Sequence, residues 1–313
     1  MDYNEALGDY ELHRGRKRSS GSFSMSVWSF ASTFDKVSQN ASATIDRMRD
    51  IMPSIADRMA AKYSLEHIEG EQYPAQLPPY HSEVLSYSFL GAYLGRGANA
   101  PLDIFRSFPL PEISLSYDGL GYIPFFKRYM KSLRIYSQYS SRYSISDYMA
   151  NDTDDVPSML YPAAYIYPTV RISEAFSPLL GIEAVFNFGL DLRLTYNRDR
   201  MIALMVSSGV VNQTIGRDVE AGVSVILWKK WRLSSDVSIR KNYVSLCDVV
   251  SNSSQVSSGE RYFSMRFKTD YNLSRSLLLG VSLSAVNHSY MLPQIPSRFT
   301  TTAAFHIKYD IGR

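Results

Sequence analysis

The chain has one cysteine, Cys247, among 313 residues, which excludes an intramolecular disulfide framework and a multi-cysteine metal site. No stretch approaches 18 consecutive apolar residues, so the sequence offers no membrane-spanning helix. Charge of one sign is also lacking. Lys plus Arg number 33 against 30 Asp plus Glu, a bias too small to argue for nucleic acid. The five histidines, His13, His67, His81, His288 and His306, include no pair at i, i+4 and no carboxylate in a metal-ligand pattern. Nucleophile-elbow, Walker and dinucleotide signatures are missing too. A hydrolase would need a Ser and a His displayed together, and in a chain this rich in Ser no chance pairing is informative. No residue is therefore assigned catalytic, cofactor-binding or metal-binding work, and the chain is read as a non-enzyme without cofactors. The N-terminus lacks the basic and apolar regions of a signal sequence: Met1 to Glu5 is acidic and polar. That pattern fits a chain whose signal was removed or one that is the tail of a longer protein.

What the chain does have is alternation. In Phe305, His306, Ile307, Lys308, Tyr309, Asp310 and Ile311 the odd positions are apolar and the even ones polar, and the phase runs back to Phe299. Side chains of a strand point alternately to opposite faces, so the segment has one apolar and one wet face. The pattern recurs in segments of about ten to twelve residues, the length a tilted strand needs to cross a bilayer and longer than an ordinary soluble strand. The composition agrees: 23 Tyr and 15 Phe coexist with a slightly negative mean hydropathy. The fold class expected is all-β, an antiparallel transmembrane β-barrel wall of about eleven or twelve strands, as a partial barrel, with one or two short helices near the N-terminus.

Along the chain, 22–34 reads as a first strand through Phe23, Met25 and Val27, with Trp28 and Phe30 as candidates to continue it. Between Ala43 and Tyr63 the period changes: Ile45, Met48, Met52, Ile55 and Met59 are three or four apart, which predicts an amphipathic helix carrying Pro53. It could lie on a membrane surface; packing in the lumen or on a neighbouring element is the plainer reading. After the Pro-rich connector 72–79, Ser82 to Leu94 predicts a helix ending at Gly95, and 95–111 is irregular. Strands are predicted near 111–118, 132–146, 165–176, 179–187, 189–199, 200–209, 216–227, 231–243, 260–271, 276–287 and 299–311. The chain thus divides into 1–110, a strand plus helical and irregular segment placed in the lumen or periplasm, and 111–313, the C-terminal transmembrane strands.

Faces follow from the alternation. Leu190, Leu192, Leu194 and Tyr196 should face lipid, with Asp191, Arg193, Thr195 and Asn197 inward; Val219, Ala221, Val223, Val225 and Leu227 repeat the apolar set. Tyr196, Trp228, Trp231, Tyr243 and Tyr271 are placed near strand ends as interfacial aromatics. Asn187-Phe188-Gly189 suits a tight turn and 246–259 a longer loop. The basic cluster His13, Arg14, Arg16, Lys17, Arg18 reads as a solvated loop or lumen-facing segment, and the Asn-x-Ser/Thr triplets at Asn40, Asn212, Asn252 and Asn287 receive no role.

Two blocks go further. Phe108-Pro109-Leu110-Pro111-Glu112-Ile113-Ser114-Leu115-Ser116-Tyr117-Asp118-Gly119-Leu120, then Ile123-Pro124-Phe125-Phe126-Lys127-Arg128-Tyr129, resembles the "PLPNW…Y.GL…PFF" block of the SprA/Sov family. Arg171-Ile172-Ser173-Glu174-Ala175-Phe176-Ser177-Pro178-Leu179-Leu180-Gly181-Ile182, continuing to Tyr196-Asn197-Arg198-Asp199-Arg200, is similar to its "ISEQFSPLIG…EY.KSR" strand pair. That family comprises the very large outer-membrane translocons of the type IX secretion system in Bacteroidetes, which in gliding species also deliver surface adhesins. The resemblance implies location in the bacterial outer membrane and a wide lumen that passes folded cargo. It also implies partners: outer-membrane lipid, secreted cargo proteins, plug and gate-covering proteins, and a missing N-terminal part of the barrel, with no nucleic acid. Family members are several times longer, so the chain is expected to be the C-terminal piece of such a translocon. The alternative is a self-contained porin-like barrel for small solutes.

Overall fold

A computed structural model describes residues 2–6, 20–35, 42–66, 70–105, 109–151, 160–228, 230–251, 253–274, 277–291 and 295–309. The basic cluster at His13 to Arg18, His67, Phe108, Asn40, Asn252 and the last residues from Asp310 lie outside these. The strands are β1 (Asp2–Ala6), β2 (Ser20–Ser26), β3 (Ile113–Tyr117), β4 (Met130–Ala150), β5 (Tyr165–Ile166), β6 (Thr169–Phe186), β7 (Leu190–Met205), β8 (Val210–Leu227), β9 (Trp231–Asp248), β10 (Ser253–Asn272), β11 (Leu277–Tyr290) and β12 (Arg298–Tyr309). The helices are α1 (Phe30–Thr33), α2 (Ala43–Tyr63), α3 (Ser82–Tyr93) and α4 (Pro124–Lys127), with single turns at Gly97–Asn99 and Gly119–Tyr122.

All twelve strands join one antiparallel sheet in the order β1-β2-β4-β6-β7-β8-β9-β10-β11-β12, with β3 and β5 paired to β4 off that path. From β7 onward each strand pairs with its predecessor, which short antiparallel turns permit. Among the described residues β1 and β12 are the two edges and do not pair with each other, so the sheet is open.

Several boundaries differ from those the pattern predicts. The strand predicted at 22–34 is β2, preceded by β1; it stops at Ser26, and Phe30 to Thr33 turn into α1. The segments 165–176 and 179–187 are mainly one strand, β6: Pro178 sits in a register shift between Phe176 and Leu180, matched in β4 between Tyr136 and Tyr139. Such a bulge admits a residue that has no N–H to donate. The segments 189–199 and 200–209 are likewise one strand, β7, whose charged run Arg198-Asp199-Arg200 lies mid-strand. The expected loop 246–259 is almost all strand, since β9 reaches Asp248 and β10 starts at Ser253. The turn at Asn187 to Gly189 is as expected, with Gly189 at φ +87°.

The strands β4 and β6 to β10 therefore run 16 to 21 residues, about twice the nine to eleven a tilted strand needs to cross a bilayer. The extra length is covered. Phe23, Met25, Tyr143, Ile145, Val170, Ile172, Ile202, Leu204, Val211 and Cys247 form one buried cluster with α2 and α3. On α2, Met48, Met52, Ile55 and Met59 are 0–2% exposed, which is why its apolar positions recur at helical spacing. Each such burial stabilises by roughly 1.5–3 kcal/mol. α3 is buried on nearly all sides, Glu83, Ser86 and Ser88 included, because it packs against α2 as well as the sheet residues of this cluster. Residues before and after position 110 share this core. The two longer helices match the segments predicted at Ala43–Tyr63 and Ser82–Leu94, at 21 and 12 residues.

Candidate functional site

Since β7, β8 and β9 pair without register shifts, one face can be followed along their whole length. The helix-bearing face of β7 carries Leu190, Leu192, Leu194, Tyr196, Arg198, Arg200, Ile202 and Leu204; cross-strand pairing extends it through Val219 and Val223 of β8, Val237 and Ile239 of β9, Phe263, Met265 and Phe267 of β10, Leu279, Val281 and Leu283 of β11, and Phe305 and Ile307 of β12. Away from the helices this face is uncovered: Val223 is 39% exposed, Met265 44%, Leu283 49% and Phe305 64%. On β7 to β12 it bears no acidic residue among those described. A contiguous exposed apolar surface of this extent is unusual for a protein that meets water on both sides.

The opposite face is polar. There Tyr136 Oη donates to Glu183 at 3.2 Å, Asn242 Nδ2 donates to Glu260 Oε1 at 2.9 Å, and Arg193 lies 3.9 Å from Glu183. Lys268 pairs with Asp270 at 2.8 Å. His306 lies opposite Gly280, and its Nε2 is 3.1 Å from Asp270 Oδ1, two strands away. A Cβ at Gly280 would meet the imidazole at 2.1 Å, so the glycine makes room for that contact. The split into an apolar and a polar face read from alternation holds on β7 and β8, and both signs of charge line the polar side.

Where the apolar band meets the helical layer lies a buried polar clasp. Glu174 of β6 accepts from Ser29 Oγ and, at 2.7 Å, from Thr33 Oγ1, and Arg200 Nη2 is 3.4 Å away. Arg200 also donates to the Ser32 carbonyl at 2.6 Å and to Ser32 Oγ at 2.8 Å. Arg198 donates to the Thr33 carbonyl, with its guanidinium 5.1 Å from the centre of the Phe34 ring. Ser29 N donates to Tyr139 Oη at 3.0 Å. The clasp explains why β2 ends early: Ser29 to Thr33 must turn to offer two hydroxyls to Glu174 and two carbonyls to the arginines. Its members Glu174, Arg198 and Arg200 belong to the second sequence block.

Of the aromatics expected near strand ends, Trp228, Trp231 and Tyr271 cluster at the ends of β8, β9 and β10, with centroids 6.3 Å apart for the tryptophans and 6.2 Å for Trp231 and Tyr271. Tyr196 and Tyr243 are instead mid-strand, next to Arg198 and Lys241, because the strands continue past them into the helical layer. The three described histidines are apart. His81 is buried with Nε2 2.7 Å from the Tyr161 carbonyl oxygen, His288 contacts Glu260 at 2.9 Å, and none of the three has a serine hydrogen bond among the described residues. Cys247 is a free thiol in the buried cluster. No group of three His, Cys, Asp or Glu side chains is placed to hold a metal among the described residues, and no described helix is long and apolar enough to cross a membrane. Compared with known protein families and with curated proteins, the chain matches none.

Proposed function

We propose that this chain is part of a transmembrane β-barrel wall in a bacterial outer membrane, and that the barrel conducts protein. The observation that carries the membrane reading is the uncovered apolar face of β7 to β12, free of carboxylates, backed by a charged and hydrogen-bonded face. On β9 the band runs from Trp231 to Lys241. Ten steps at ~3.4 Å give roughly 34 Å along the strand, or roughly 25 Å across the bilayer at a ~40–45° tilt, the height of a barrel's apolar band. The polar face then lines the lumen. In this reading α2 and α3 lie on the lipid side of the wall beyond one membrane surface, not in the lumen, because they share a face with the apolar band.

The open edges call for further strands. An unpaired backbone group in hydrocarbon costs several kcal/mol, so β12 and the edge at β1 require partners from the rest of a larger barrel. Protein conduction, rather than small-solute passage, rests on the resemblance of the two sequence blocks to the SprA/Sov translocons. The polar wall suits it, because charges paired within the wall offer a moving protein no apolar patch to adhere to.

Single-cysteine labelling tests the membrane reading. In membranes, Val223→Cys and Phe267→Cys should resist a water-soluble maleimide while Gly222→Cys and Arg266→Cys react; equal labelling of all four would defeat it. Photo-crosslinkers at Ser264 and Asn242 should capture a stalled secreted cargo, and one at Phe263 should not. Passage of small solutes with no cargo crosslink would instead favour the porin-like pore.

A further inference from the structure

At the rim of the apolar band, four cations stand side by side on the helix-bearing face: Arg198 is directly opposite Arg217, Arg217 opposite Lys241, and Lys241 opposite Arg261. Neighbouring strands are about 4.8 Å apart, so the row spans roughly 14 Å, and like charges directly opposite each other repel. Arg198 is held by the Thr33 carbonyl and the Phe34 ring, and among the described residues no carboxylate pairs with the other three. The nearest carboxylate on it, Glu174, is buried against Arg200. Arg217, Lys241 and Arg261 are exposed and make no ion pair among the described residues, whereas Arg134, Arg193 and Lys268 on the opposite face all have carboxylate partners. Arg198 is 9% exposed, and its Nε has no partner among the described residues. Immediately below the row lie Tyr196, Val219, Ile239 and Phe263; Tyr243 lies just above it on β9.

We propose that this row binds the phosphates of anionic lipid headgroups, a proposal that rests on the membrane reading above. A cation row at the boundary of an apolar band sits where headgroups lie, and arginine's planar fork suits phosphate oxygens. The ligand is a lipid rather than free phosphate because the surface below the row is apolar and can take acyl chains from Val219 to Phe263. The bound phosphates supply the negative charge that this face lacks, relieving the repulsion along the row.

The test titrates the detergent-solubilised full chain with fluorescent phosphatidylglycerol, phosphatidylcholine and inorganic phosphate. Phosphatidylglycerol should bind in preference to phosphatidylcholine, and inorganic phosphate should compete weakly. Arg217→Gln, Lys241→Gln and Arg261→Gln should each weaken phosphatidylglycerol binding about fivefold, and about a hundredfold together. The matched triple on the polar face, Arg232→Gln, Arg240→Gln and Arg266→Gln, removes the same charge and should leave binding unchanged. Circular dichroism verifies that both triples fold. Equal binding of the two lipids, or equal loss in both triples, overturns the site; displacement by inorganic phosphate at equal concentration overturns the lipid assignment. Insertion into vesicles without headgroup preference rejects the row alone, while failure to enter any bilayer rejects the membrane reading and the row with it.

Discussion

Replacing Glu174 by Gln should release the α1 segment from the sheet. The side chains of Glu174 and Arg200 are 2% and 1% exposed, so neither recovers hydration when the other is lost. The carboxylate in contact with Arg200 is Glu174, so the amide leaves that buried guanidinium with neutral partners beside the like charge of Arg198. Removing one partner of a buried pair costs about 3–5 kcal/mol, and the second arginine puts this case towards the upper end. The loss concentrates on the α1 segment because four hydrogen bonds join Ser29, Ser32 and Thr33 to Glu174 and Arg200. Hydrogen exchange reads it directly. The amide of Val27, bonded to the Ser141 carbonyl at 3.0 Å, and that of Ser32, bonded to Ser29 at 3.0 Å, should exchange faster by at least about two orders of magnitude. Indole fluorescence should follow, since Trp28 Nε1 donates to the Pro111 carbonyl at 2.8 Å. A Glu174→Leu/Arg200→Met double variant should regain much of the protection, since the Arg200 charge leaves together with its partner. Unchanged exchange in the single variant, or strictly additive losses in the double, would refute the clasp as a coupled unit.

Three further outcomes follow from the same geometry. Phe267→Arg places a charge in the apolar band and should cost about 2–4 kcal/mol near its middle, seen as lost heat-modifiable migration on a gel, whereas Ser264→Arg on the polar face should migrate normally. Gly280→Val should lower thermal stability by about 1–3 kcal/mol by driving His306 away from Asp270, and His306→Ala should restore most of it; no rescue would count against that contact. Burial pushes the phenols of Tyr87, Tyr93 and Tyr167 up, chiefly by desolvation. Both folded and unfolded chains hold these protons below about pH 10, so the three have no effect there; above it the unfolded chain releases them first and stability falls, by about 1.4 kcal/mol per unit per tyrosine. Helical ellipticity should therefore decline on alkaline titration, and helices that persist while every tyrosine titrates near its free value would contradict the burial.

The strand periodicity of β8 to β12, the helix at Ala43 to Tyr63 and the polarity of each face were readable from residues alone, because period and burial there agree: each strand in the band has one apolar side, and α2 has one apolar stripe. The charged run Arg198-Asp199-Arg200 was not, since local rules read it as a turn. Its arginines stay in a strand because Glu174 and the carbonyls of Ser32 and Thr33, remote in sequence, meet them there. In the same way Leu246 to Gly259 looks like a polar loop, and only pairing with β8 and across the β9–β10 hairpin makes it strand. Hairpin arithmetic offers part of a signal: Arg198 and Arg217 are equidistant from the turn at 206–209, whereas Lys241 and Arg261 are offset by one about the β9–β10 turn, the residue taken up by the register shift between Val256 and Ser258. It becomes usable once the turns are known, and the merged strands had hidden the first.

Alternation by itself determined that this chain builds strands with one apolar and one wet face, since it depends on nothing beyond the two-residue repeat of extended backbone. Tertiary structure decided how far the strands run, which half is covered by α2 and α3, and that the helices share the apolar face. Those features depend on contacts between residues far apart in sequence, and a local pattern carries no record of the partner that meets it.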